Sequence, residues 1–377
     1  MPSYPSFEGI SAYCRGLSKE MNLLEPGSCP IITLRPKLKN LSGDEELLHY
    51  PYSSWNPLSL PSELLADLKN NVHELDGIVF HGPYHPKAAM LRRFLMKIGM
   101  PYIFVPHDPY VEELTKHHAF RKWVFWHLFE KETIRNAEVV QILAAEHEEP
   151  LRRFGFKVPV EKIPNGCELK SLSEVPKNAH IPGSAREVRI QYMGRMDRNH
   201  KGLDLLIEAF AEFSKEKKFN DVNLILTGND WEDRGELQAL AKRTGVEDRV
   251  IFTGPRPDEH SLKIHSEADL AVLPSRFDGF GLTIVEAMLA GRPVLVSKKT
   301  GVASHVEKAG GGWLCDPTIE GIRKGLVEAY ESRSDWAKKG SMNSEYVSNH
   351  LTWKQTAEQT LAMYRRYLLG EIGDVEE

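Results

Sequence analysis

The chain has 377 residues, 41% of them hydrophobic and 27% charged, the balance of a soluble globular protein with room for two ordinary domains. A net charge of −5 argues against nucleic acid as the main partner. Four scattered cysteines (Cys14, Cys29, Cys167, Cys315) without a Cys-x-x-Cys pair argue against a zinc ribbon and a disulfide framework, and suit a reducing cytoplasm.

Taken in chain order, short apolar runs alternate with helical periodicity, the pattern of parallel sheets wrapped by helices. The first half predicts helices over 11–21, 61–73, 86–98, 120–135 and 146–154, and strands over 31–34, 78–80, 102–105, 139–143 and 160–163. A polar stretch at 171–186, holding Pro176 and Pro182, reads as a linker. The second half predicts strands over 188–193, 222–227, 250–253, 270–273 and 293–296, with helices over 203–215, 236–244 and 259–266 between them. A last periodic helix covers 353–369. The expected division is a domain over 1–175, a second over 187–350 and a terminal helical segment over 351–377. No run of about 18 apolar residues marks a membrane span, and the first residues lack the basic start and apolar core of a signal peptide.

The most informative stretch runs from Ser275 to Val296. A strand leads into a loop with Asp278, Gly279 and Gly281, and a helix opens near Leu282 with Glu286 one turn inside. Gly281 lets backbone approach a ligand, while free N–H groups and the dipole at the helix start favour an anion. Asp278 and Glu286 then flank a phosphate-sized site, and each can reach a polyol. Sugar, diphosphate and ribose fit that order; two plainly solvated acids are the alternative. Gly194-Arg195 and Lys201-Gly202 put two cations at the carboxyl end of the 188–193 strand, suited to a diphosphate or else simply solvated. His107 follows the 102–105 strand in Val105-Pro106-His107-Asp108.

The Asp278-Gly279-Phe280-Gly281 core, Glu286-Ala287-Met288 and Gly291-Arg292-Pro293-Val294 resemble the donor-site signature of glycosyltransferase family 4. That family's retaining enzymes have the two-domain GT-B fold, and its first acid is usually Glu where this chain has Asp278. Gly194-Arg195 with Lys201-Gly202 resembles the family's Gly-Arg-x(n)-Lys-Gly element, whose cations bind the departing diphosphate. Pro106-His107 resembles its Pro-His-Gly segment, whose histidine lies beside the transferred sugar; Asp108 stands in place of the glycine. Ser6-Phe7-Glu8-Gly9-Ile10, ahead of the first helix, resembles its Gly-Gly loop, with Gly9 as the second glycine and Glu8 replacing the first. Glu146 and the Ile163-Pro164-Asn165-Gly166 turn also have counterparts, although Asn-Gly is first a turn signal.

The resemblance covers nearly the whole chain. It implies an α/β protein of GT-B fold: two Rossmann-like doubly wound domains facing across a cleft, with the C-terminal helix crossing back to the first. It puts His107, Arg195, Lys201 and Asp278 at the reacting centre. Its donor-binding set is Gly9, Gly194, Gly202, Arg256, Gly279, Phe280, Gly281, Leu282, Thr283 and Glu286. Neither a metal nor a cofactor is expected. The family begins with a strand running into the loop that here follows Met1, so about ten further residues carrying that strand are expected upstream, the alternative being another segment in its place.

The implied reaction is metal-independent, hexosyltransferase-type transfer of a sugar from a nucleoside diphosphate sugar, with retention, to an acceptor hydroxyl on a glycan, glycolipid or polysaccharide precursor. A sugar-nucleotide epimerase of the same fold and an inactive sugar-nucleotide-binding subunit are the alternatives. The expected partners are that donor and a carbohydrate or lipid-linked acceptor. Arg92, Arg93 and Lys97, with Phe120, Arg121, Lys122, Trp123, Phe125, Trp126 and Phe129, fit either a helix core face with a solvated edge or peripheral contact with a membrane's inner face. The expected location is cytoplasmic.

Overall fold

A computed structural model describes residues 8–35, 47–51, 56, 58–107, 110, 119–176, 181–183, 187–230, 232–257 and 259–371. The chain divides into two compact units, Met1–Gly166 with Trp353–Glu377, and Cys167–Thr352. The sequence-based division set the break at the 171–186 stretch. The contacts set it at Gly166, because Cys167 already bonds with the second unit: its N–H donates to Leu351 O at 2.9 Å and it bridges to Thr352.

Among its described residues, the first unit has two parallel sheets. One pairs β1 (Ile31–Arg35) with β2 (Leu47–Pro51). The other runs β3 (Ile78–His81), β4 (Tyr102–Val105), β5 (Val140–Ile142) and β6 (Val160–Lys162) in that spatial order. Alternation along β4 sends side chains to opposite faces. Tyr102 and Phe104 join Leu64, Leu68, Leu91 and Leu95 from helices Ser62–Asn70 and Pro86–Ile98. Ile103 and Val105 join Val139, Ile163 and Met363 of the C-terminal helix Trp353–Leu368. That helix also packs Ala357 and Leu361 on Tyr13, Leu17 and Met21 of the first helix, Glu8–Leu24. Gly16 makes the approach possible: a Cβ there would lie 2.6 Å from the Trp353 ring.

Three local expectations change. The first helix begins at Glu8, so Gly9 sits in its first turn and not in a loop before it; an acid at a helix start is favoured by the dipole. The expected 120–135 helix is a run interrupted by a π turn, Trp126–Glu130, between Ala119–Phe125 and Lys131–Arg135. Strand β2 had not been foreseen. The expected strand ahead of Met1 and the loop at residues 1–7 lie outside the described residues.

Among the described residues, the strands of the second unit are β7 (Val188–Met193), β8 (Val222–Thr227), β9 (Val250–Gly254), β10 (Leu270–Leu273), β11 (Val294–Ser297) and β12 (Gly312–Cys315). They form one parallel sheet with spatial order β12-β11-β10-β7-β8-β9. The chain winds outward from β7 to β9, then returns to the other side of β7 for β10 to β12. Loops leaving the carboxyl ends of β7 and β10 therefore diverge, and such a switch point is where open α/β sheets bind ligands. Asp269, fully buried before β10, accepts from the N–H groups of Gly183 at 2.7 Å and Arg189 at 2.8 Å, pinning the incoming chain to the sheet.

Candidate active site

Two loops build the second unit's site. After β7, Gly194-Arg195 turns the chain, and Asp197 caps the short helix Arg198–Lys201 by accepting from His200 N–H at 2.8 Å. Gly202 follows at φ 66°, where a Cβ would lie 2.6 Å from Pro274 O, so the two loops touch through backbone. Gly228 is equally tight: a Cβ there would meet Gly194 O at 1.8 Å. The β10 loop is fastened by Arg276, whose guanidinium grips both Asp204 oxygens at 2.7 Å.

These contacts bring Lys201 and Asp278 together. Lys201 Nζ donates to Asp278 Oδ2 at 2.5 Å, and Phe280 N–H reaches Asp278 Oδ1 at 3.3 Å. Burial alone would raise the Asp278 carboxyl, but the Lys201 charge and hydrogen bond outweigh it and hold the value below the ordinary one. Arg195 belongs to the same charge cluster. Burial, with Lys201 and then Arg195 nearby, lowers His200 to about 4, and burial, with Asp278 nearby, raises Tyr192 well above its usual value. Tyr192 O–H donates to Arg195 O at 2.7 Å and so holds the turn.

Gly279 and Phe280 are buried in this loop. Gly281 caps helix Leu282–Leu289 at φ 87°, and a Cβ there would press within 3.0 Å of Leu273. Leu282, Thr283 and Glu286 are half-buried on that helix, whose Ile284, Val285 and Met288 face the core. Burial pushes Glu286 up to about 7, against a hydrogen bond from Ser261. Arg256, in the loop after β9, places four N–H bonds on Glu259 and Glu267 at 2.6 to 2.7 Å. In this state its donors are directed to those carboxylates.

The first unit carries His107, buried just after β4 with φ 61°. Asp108 lies outside the described residues. His81, at the end of β3, hydrogen-bonds to His107, and Tyr13 packs edge-on to it. Strand-end position was the signal available in the sequence for His81. Glu130, in the π turn, accepts from Tyr110 O–H at 2.7 Å and Tyr84 N–H at 3.2 Å, and burial raises it to about 7. Asn165 is buried with Oδ1 unpartnered among the described residues, and Glu146 is exposed. Among the described residues, no group of three or more His, Cys, Asp or Glu side chains is placed to hold a metal ion. No described helix is long and apolar enough to cross a membrane.

Residues 180–343 match the family described as "Glycosyl transferases group 1", and residues 47–166 match "Glycosyl transferase 4-like domain". Mannosylfructose-phosphate synthase of Agrobacterium fabrum is 28% identical over 177 residues, 45% of this chain and 39% of the relative. The chain spans about half the length of the curated relatives it matches. A sucrose-phosphate synthase from Thermosynechococcus elongatus superposes with a TM-score of 0.77 at 22% identity, over 96% of this chain and 94% of that one. HepE from Anabaena, solved in complex with UDP and glucose, gives a TM-score of 0.66 at 22% identity over 84% and 85% of the two chains. With two parallel-sheet α/β units and both family matches in chain order, the protein has the GT-B fold and belongs to the group 1 glycosyltransferases, with a glycosyltransferase 4-like domain ahead.

Proposed function

We propose that this chain moves a sugar from a nucleoside diphosphate sugar to an acceptor hydroxyl, with retention and without a metal. The observation that carries the reading is the convergence at the β7/β10 switch point of Lys201, Asp278, Arg195 and the start of helix Leu282–Leu289. In the proposed complex the donor diphosphate lies against Arg195, Lys201 and the backbone N–H groups at Gly281 and Leu282. Lysine has three N–H donors, so Lys201 can keep Asp278 and still meet a phosphate. Asp278 has about four lone-pair sites and uses two of them internally, leaving capacity for a sugar hydroxyl. Glu286 is assigned to the ribose. His107 is assigned to the transferred sugar, and Gly9 and Arg256 to the outer donor contacts.

The acceptor oxygen bonds to the anomeric carbon as the bond from that carbon to the diphosphate breaks. The acceptor proton passes to the leaving phosphate oxygen on the same face. The protein's share is electrostatic: fixed cations and N–H groups meet charge that grows on the diphosphate. We assign the acceptor to the glycan or lipid-linked class. Phe120, Trp123 and Leu128, at 76%, 59% and 56% exposure, support peripheral contact of this unit with a lipid surface.

The test is incubation with UDP-, GDP- and ADP-linked glucose and mannose in the presence of EDTA, following nucleoside diphosphate release. Release of diphosphate, with an axial-anomer product from an axial-anomer donor by proton NMR, is expected. An inverted product, or an epimerised sugar-nucleotide with no glycoside, would overturn the reading.

A further inference from the structure

At the carboxyl ends of β3 and β4, the first unit carries a group of rings, Tyr13 and His107 buried and His81 half-buried, to which the proposed reaction gives no task beyond His107. His81 ends β3 opposite Val105 of β4, so His81 and His107 leave neighbouring strands side by side. Nδ1 of His81 lies 3.0 Å from Nε2 of His107, a hydrogen bond between two imidazoles. Tyr13 closes the group, its ring 4.7 Å from His107 and 5.6 Å from His81. The Tyr13 oxygen is itself held by Gln141 Nε2 at 2.9 Å.

His107 adopts a left-handed φ of 61°, which costs about 1–3 kcal/mol and persists only where the surroundings impose it. Burial drives both rings to the neutral form, with His81 lowered to about 4. A neutral imidazole has one N–H and one lone pair, so in this bond the role of each ring nitrogen dictates the others. With Nε2 of His107 committed to His81, Nδ1 is the nitrogen left for a substrate hydroxyl.

We propose that His81 is a positioning residue for His107, fixing that ring in one tautomer and one orientation toward the transferred sugar. The functional half of this inference rests on the assignment of His107 to the sugar.

The experiment uses the whole protein, without donor, labelled with nitrogen-15 in histidine. Long-range proton–nitrogen spectra report the His107 tautomer in wild type, His81→Asn and His81→Leu. Asparagine keeps an amide able to meet Nε2 as donor or acceptor, and leucine does not. A single tautomer in wild type, with a mixture in His81→Leu, is expected, while His81→Asn keeps a hydrogen-bond partner for Nε2 and serves as the rescue variant. An unchanged single tautomer in His81→Leu overturns the inference.

Turnover of the six UDP-, GDP- and ADP-linked glucose and mannose probes gives the second readout. His81→Leu is expected to lower kcat about ten-fold or more with donor KM within about three-fold, and His81→Asn to recover most of the loss. Wild-type kcat in His81→Leu beside lost activity in His107→Ala would overturn the positioning role. Wild-type activity in His107→Ala would instead retire the sugar assignment of His107. The tautomer result then decides the rest, as it does if no probe is consumed.

Discussion

Lys201 and Asp278 form a nearly buried ion pair, and such pairs act mainly through what happens when one partner is removed. Lys201→Met leaves the Asp278 carboxylate, among the described residues, with the Phe280 N–H as its hydrogen-bond donor. We expect a loss of about 3–5 kcal/mol in urea unfolding, with much of it regained in Lys201→Met/Asp278→Asn. Because the folded Asp278 value is depressed, its contribution is present above about pH 4 and lost as pH falls through the folded value. Glu286 has the opposite sign. Its folded value of about 7 exceeds the free value of about 4.3, so its contribution is complete at low pH and lost as pH rises through 7. Glu286→Gln removes that titration. The variant should gain thermal stability relative to wild type between about pH 5 and 8 while donor affinity falls. Matching pH profiles for the two proteins would mean that Glu286 is not held in a costly ionised state.

At the scale of elements, the switch-point loops depend on glycine and on one buried acid. Gly202→Ala adds a Cβ against Pro274 O in a left-handed backbone, so it should cost about 1–2 kcal/mol or more and impair donor turnover through loop displacement. Asp269→Ala removes a buried acceptor from the N–H groups of Gly183 and Arg189, whose bonds to it are partly buried. A loss near 3 kcal/mol in denaturant unfolding is expected, and a loss below about 1 kcal/mol would show that water replaces the carboxylate. Strands β4 and β10 were legible because every residue is buried and the run is continuously apolar. Strands β7 and β8 were legible because, around Arg189, Gln191 and Asn223, their runs are mainly apolar. β2 and β12 were not: Leu47–Pro51 mixes His and Pro into the run, and Gly312–Cys315 is a four-residue edge strand opening on glycine. Helix Trp336–His350 was missed because its Gly340, Ser341 and Asn343 break the apolar stripe. Those residues instead serve close packing and backbone bonding, with Asn343 Nδ2 donating to Arg292 O and Gly311 O. The donor motif lies on consecutive residues and was readable. The Arg276–Asp204 clamp and the His81–His107 bond join positions 72 and 26 residues apart, so only the fold reveals them.

At the scale of the whole molecule, each unit carries its own chemistry. The first presents an exposed aromatic and apolar group on helix Ala119–Phe125 and the π turn after it. Phe120→Ser/Trp123→Ser should reduce co-sedimentation with phosphatidylserine-containing vesicles while leaving soluble-donor turnover within about two-fold. Equal sedimentation of wild type and variant would remove the lipid surface from the account. The second unit carries the donor claim on which the rest depends. Calorimetric titration of the wild type, Arg195→Ala and Lys201→Ala with UDP-, GDP- and ADP-linked glucose and mannose addresses that claim directly. At least one of these donors should bind the wild type and bind each variant more weakly by roughly ten-fold or more, with turnover falling by about 10² to 10³. Binding of none of the six, or equal affinity in all three proteins, would contradict a diphosphate held by Arg195 and Lys201.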